Sequence, residues 1–206
     1  MNKQFHRVIF NAARGARMAV HEAASSHSGR GRKKATAVAA LLALAWQGQD
    51  SLAQIAGDPS APGNRRPVVV TAPNGPPLVN IQTPSAGGVS RNTYRQFDVG
   101  PQGAILNNSR TDVQTQLGGW VQGNPYLATG PARIILNEVN SSNPSQLRGY
   151  VEVAGQRAEV IIANPAGIQV NGGGFINASR ATLTTGTPQF NEAGSLASFL
   201  VRGGTV

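Results

Sequence analysis

The stretch VIIANPAGIQVNGGG, Val160 to Gly174, decides how the fold is read. Three apolar residues run into Asn164-Pro165, the chain turns at Gly167, and apolar positions resume at Ile168 and Val170 before three glycines. Proline fixes φ, an Asn side chain can bond the backbone two residues on, and glycine tolerates positive φ, so a tight turn joins two short strands here. Ile168 and Val170 are expected to re-enter a core, with Gly172 to Gly174 forming the next corner. A phosphate cradle is the rival reading, but the run lacks the Gly-Lys-Ser/Thr ending of a P-loop and opens no helix.

Outward from this stretch the same texture repeats. Ala132–Val139, Gly149–Gly155, Ala158–Asn164, Gly167–Gly172, Gly174–Ser179 and Arg180–Gly186 are short strand-like runs bounded by Gly, Asn or Pro. They follow one another too closely for helical crossovers. A sandwich of hairpins would favour Asn-Gly or Asp-Gly turns between matched alternating strands. A parallel β-helix instead puts aliphatic residues inward, Gly and Asn at corners, and Thr, Gln, Ser and Asn outward. The chain fits the second pattern, with Val160, Ile162, Ile168, Val170, Ile176 and Leu183 as successive inward candidates. Three such strands per turn give coils at the short end of solenoid repeats.

The net charge of +9 would suit an anionic partner, but its distribution excludes nucleic acid. Residues 1–34 hold eight Lys and Arg against the single acid Glu22, whereas residues 35–206 hold ten Arg against eight acids. Cysteine is absent, which excludes disulfides, thiolate metal sites and a Cys nucleophile. Arg30 to Lys34 precede the apolar run Ala35–Trp46 and a polar segment ending Ser51-Leu52-Ala53. That order is the layout of a secretory signal peptide, with cleavage between Ala53 and Gln54. The apolar run is too short to span a bilayer. Ahead of it, Phe5, Val8, Ile9, Ala12, Ala16 and Val20 recur at helical spacing, which predicts an amphipathic helix. Residues 54–77 are proline-rich and read as an extended tether; Leu78, Val79 and Ile81 mark the first strand.

Two sets of residues resemble a known family. Met1-Asn2-Lys3, Arg7 to Asn11, Arg14-Gly15 and Ala19 to Glu22 resemble the extended signal peptide region of large Gram-negative exoproteins. Val89 to Val99 and Gly103 to Ser109 resemble the secretion domain of the filamentous haemagglutinin and contact-dependent growth inhibition exoproteins. That family has two signature turns, Asn-Pro-Asn-Leu and Asn-Pro-Asn-Gly-Ile. Here they stand as Asn124-Pro125-Tyr126-Leu127 and Asn164-Pro165-Ala166-Gly167-Ile168, each departing at its third position. The resemblance implies an all-β chain: a right-handed parallel β-helix with an N-terminal β cap over residues 78–206, carrying Asn92, Tyr94, Phe97, Val99, Asn107 and Asn108 as its cap segment. It also implies export by the Sec translocon, processing by signal peptidase, and recognition by an outer-membrane β-barrel transporter with periplasmic domains. The expected product is the secretion module of an adhesin or toxin carrier, secreted or displayed at the cell surface, whose remainder meets a host or neighbouring cell. The ending at Arg202–Val206 reads as a fragment of a larger exoprotein.

No catalytic, cofactor or metal site is expected. His6, His21 and His27 all precede the cleavage point, removing the usual general base and metal ligand from the mature chain. Glu152 and Glu159 are read as outward charges on a solvated face, and Trp120 and Tyr126 as aromatics packing a cap or corner. The rival class is a stand-alone carbohydrate-binding or polysaccharide-cleaving β-helix protein.

Overall fold

A computed structural model describes residues 55–206 except Ala193, together with the backbone of residues 6–11 and 16–21. The two parts fall into separate compact units. In the first, β1 (His6–Asn11) pairs antiparallel with β2 (Ala16–His21). This corrects the helix expected there. Arg7-Val8-Ile9-Phe10 is a β-branched and aromatic run, so two six-residue strands outcompete a helix of marginal length. The apolar run 35–46 and the Ala53–Gln54 junction lie outside the described residues.

The second unit coils. Along one face stack β5 (Pro77–Asn80), β7 (Ala104–Asn108), β12 (Tyr150–Gly155) and β15 (Gly174–Ile176), all parallel. Along the next stack β6 (Val89–Phe97), β10 (Ile134–Val139), β13 (Ala158–Ala163) and β16 (Ala178–Thr184), also parallel. A narrower third face holds Val99, β11 (Ser145–Leu147) and β14 (Ile168–Val170). Thr205 adds to this face, its carbonyl accepting the Ile168 N–H at 2.9 Å. The fold is therefore a three-sided parallel β-helix. Ile135 lies opposite Val160, and Val160 opposite Ala181, so successive coils are offset by 25 and 21 residues.

Each coil places aliphatic residues on one axis. Val79, Leu106, Val153, Ile135, Val160, Ile162, Leu147 and Ile168 are buried in one cluster. Two inward candidates fail. Val170 is 52 % exposed although alternation puts it on the same face as Ile168: it ends β14, and among the described residues Thr205 adds to this face at Ile168 while no further strand pairs over Val170. Ile176 is half-buried while its neighbour Phe175, paired with the core residue Val151, packs inward, and Ile176 stacks on Glu152; Asn177, at φ 56°, breaks the expected strand over 174–179.

The proline-rich tether is likewise folded. β3 (Ile55–Gly57) pairs antiparallel with the end of β6, and β4 (Val68–Thr71) antiparallel with β5. Between them a 3₁₀ turn covers Gly63–Arg65. Together these strands cap the N-terminal end of the coil. The prolines occupy turns and strand starts, where a missing N–H costs nothing. Two further hairpins cover outer faces. β8 (Val113–Thr115) with β9 (Gly119–Val121) lies over Leu78, Ile105 and Ala154. β17 (Thr187–Phe190) with β18 (Leu196–Leu200) lies over Val89, Leu136 and Ile161.

Candidate functional site

The two signature turns share one construction. Asn124 Oδ1 accepts the Tyr126 N–H at 3.0 Å, and Asn164 Oδ1 accepts the Ala166 N–H at 2.9 Å. Each amide then reaches across coils. Asn124 Nδ2 donates to the Ile81 and Asn107 carbonyls, both at 2.9 Å. Asn164 Nδ2 donates to the Asn143 carbonyl and Ser145 Oγ, both at 3.0 Å, while its main-chain N–H donates to the Thr184 carbonyl at 2.9 Å. Asn164 thus ties the third coil to the coils on either side. Both asparagines are buried, with Leu127 and Ile168 anchoring each turn in the core and Pro125 and Pro165 exposed. The third position contributes its N–H through the backbone, so Tyr126 and Ala166 serve the turn without an Asn side chain.

One glycine completes the Asn164 corner and another the corner after it. Gly167 sits at φ 117° and donates to the Asn164 carbonyl at 3.0 Å. At Gly173 a Cβ would stand 2.7 Å from the Gly149 carbonyl oxygen of the coil before. The glycine run is therefore a close stacking of corners, not a ligand loop.

The residues expected in the cap segment are brought into the first two coils. Asn92, Asn107 and Asn108 are fully buried. Asn107 Nδ2 donates to Asn80 Oδ1 and the Gln122 carbonyl, both at 2.9 Å. Asn108 exchanges bonds with Ala132 and donates to the Gln156 carbonyl at 2.8 Å. Tyr94 and Phe97 lie where β6 passes into the cap, their rings packed edge to face at 4.9 Å. Tyr94 donates to Asn137 Oδ1 at 2.9 Å, and burial pushes its hydroxyl pKa up, keeping the donor protonated. Val99 begins the third face. The two signature turns themselves stand at different corners and do not meet. Pro165 does border the cap: an open cleft of about 340 Å³ is lined by Pro165, Asp58, Ser60, Glu138, Asn140 and Pro188.

Among the described residues no three acids gather where they could share a metal ion. Glu152 is buried rather than solvated, its carboxylate accepting the Gln116 and Leu117 N–H groups at 2.7 and 2.8 Å. Glu159 holds Arg180, and Glu138 holds Arg91. Asp98 accepts from the Gln146 N–H at 2.8 Å, and Asp112 from the Gly123 N–H at 3.0 Å. Asp58 accepts from the Ser60 hydroxyl at 2.6 Å and amide at 2.8 Å, which hold its pKa below the usual carboxylate range against the opposing effect of burial. Trp120 is 65 % exposed, correcting the expectation that it packs a corner; alternation along β9 gives the inward place to Val121. Sequence reading passes over Asn137, although Asn in mid-strand is disfavoured enough to signal a special role, and reads Glu152 as a solvated charge.

A β-helix of this size, capped at its N-terminal end and stitched by Asn-Pro turns, defines a class of secretion module. Residues 53–206 match the family model described as TPS secretion domain, and residues 1–48 that of the Extended Signal Peptide of Type V secretion system. The chain belongs to the TPS secretion domain family, whose domains direct secretion through a partner transporter. It is 52 % identical over 221 residues to "Toxin CdiA" of Yersinia pestis and 47 % identical to "tRNA nuclease CdiA-2" of Burkholderia pseudomallei, in each case across 100 % of this chain and 7 % of the relative. Among solved structures, the filamentous hemagglutinin secretion domain superposes with a TM-score of 0.61 at 42 % identity, covering 68 % of this chain and 44 % of the other.

Proposed function

We propose that this chain is the secretion-targeting module of a large exported toxin carrier of the contact-dependent inhibition type. The Sec translocon carries it to the periplasm, signal peptidase cleaves between Ala53 and Gln54, and an outer-membrane β-barrel with periplasmic domains receives it. It emerges at the cell surface, where a distal part of the protein meets a neighbouring or host cell. Relatives named as CdiA toxins, of which this chain spans about 7 %, favour the toxin carrier over an adhesin.

The observation that carries this reading is the coil-to-coil stitching by Asn124 and Asn164. Besides closing its own turn, Asn124 reaches back to Ile81, and Asn164 reaches Asn143 and Ser145 on one side and Thr184 on the other, so these asparagines complete their polar partners only when the neighbouring coil is in place. Solenoids propagate by neighbour contacts, and the later coils, offset by 25 and 21 residues, keep loop-closure cost low. A capped first coil that folds outside the pore would bias transit outward as each later coil docks on it. The surface shared by Pro165 and the cap residues around Asp58 is where the transporter's periplasmic domains read the module.

Replacing Asn164 with Ala, or deleting 124–127, tests this with the transporter co-expressed and the culture medium assayed. Loss of secreted protein with the periplasmic pool retained is expected. Secretion at the parent level by both variants would overturn the reading.

A further inference from the structure

The β8–β9 hairpin is an excursion from the second coil, and alternation gives it two faces. Val113, Thr115 and Val121 turn inward, with Val113 and Val121 joining Ala72, Leu78, Ile105 and Ala154 in an apolar cluster. Gln114, Gln116, Trp120 and Gln122 are exposed, with Gln114 directly opposite Trp120 in the register. The inner face explains why the hairpin docks. It does not explain an indole 65 % exposed on the outer face.

That indole stands on a fixed support. Both oxygens of the buried Glu152 carboxylate hold the hairpin tip through the Gln116 and Leu117 N–H groups. The Thr115 hydroxyl donates to the Gly119 carbonyl at 2.8 Å, and the Asn74 N–H donates to the Gly118 carbonyl at 3.3 Å. On this face the exposed Gln114, Gln116 and Gln122 are amides, each with donors and an acceptor; the exposed Asp112, next along the strand on the same alternation, accepts the Gly123 N–H at 3.0 Å. An anionic lipid surface would call for basic residues beside the aromatic. A protein hot spot would call for apolar neighbours that exclude water. A flat amphipathic ring flanked by neutral amides instead matches a pyranose, which offers a C–H face to the ring and hydroxyls to the amides.

We propose that the outer face of the β8–β9 hairpin is a docking platform for an uncharged glycan chain, Trp120 stacking on one sugar ring while Gln114 and Gln116 bond its hydroxyls. The platform is independent of recognition at the signature turns, because its residues lie on the opposite side of the hairpin from the coil.

Trp46 and Trp120 are the two tryptophans of the chain, so Trp46→Phe in the full chain leaves one indole as reporter. Titration with chitotetraose and with maltotetraose should give a saturable blue shift with at least one of them. Gln114→Ala should weaken that binding about tenfold, equivalent to 1.4 kcal/mol. Trp120→Ala, followed by calorimetry, should abolish it with the melting temperature unchanged, and Trp120→Tyr should restore part of it. The platform is refuted by no saturable response to either sugar, or by undiminished calorimetric binding in Trp120→Ala. A blue shift with phosphatidylglycerol vesicles and none with sugars overturns it in favour of a lipid surface.

Discussion

Asn164 bonds in three directions at one corner: to its own turn, to the preceding coil through two acceptors, and to the following coil through its N–H. Removing the amide leaves the Ala166 N–H and the Asn143 carbonyl without that partner, and an unmade bond at a buried polar group costs about 1–3 kcal/mol. Asn164→Ala should lower stability by that amount in urea titration with an unchanged m-value, whereas Ala166→Asn should sit within about 0.5 kcal/mol of the parent, as surface changes do. Asp58 adds a pH dependence. Its folded pKa is held down by Ser60, so the stability it contributes is present above the ordinary carboxylate pKa and is lost as pH falls through the depressed value. Melting curves taken downward through that window should fall more steeply for the parent than for Asp58→Asn.

At the scale of elements, the hairpins behave as covers over apolar outer faces. Glu152→Ala leaves the β8–β9 tip without its acceptor, and amide exchange at Gln116 and Leu117 should accelerate well before the coil strands open. The same elements show how much was legible in the sequence. The runs Ala132–Val139, Ala158–Asn164 and Gly167–Gly172 announced their strands, because Gly, Asn and Pro stand at corners where only they fit. The Asn164 turn was readable down to its side-chain bond. The covers were not: Val160-Ile161-Ile162 is continuous rather than alternating, a sign of burial on both faces, but nothing local says that β17–β18 supplies the second layer. The cap was misread for a related reason. Prolines argue against regular structure locally, and only the register of β3 and β4 against β6 and β5 shows that they flank short edge strands. Glu152 reads as solvated in the sequence because its partners are backbone groups 35 and 36 residues away.

For the whole molecule, coils depend on their neighbours and the axis is mainly apolar, with the buried Tyr94–Asn137 bond among its aliphatic residues. Ile162 lies fully buried on that axis, and Ile162→Ala should cost about 2–5 kcal/mol. In a stack of this kind the damage spreads to adjacent coils, so exchange protection should fall in β10 and β16 along with β13. The charge asymmetry also has a whole-molecule consequence. With the basic leader removed the body is nearly neutral, leaving no strong field to hold it against an anionic surface during transit.

The most direct measurement is export of the full chain, fused ahead of a reporter, in cells that carry or lack the outer-membrane partner transporter. Secretion directed by the module predicts reporter in the medium only when the transporter is present, with the processed fusion held in the periplasm otherwise. Equal release with and without the transporter would contradict it.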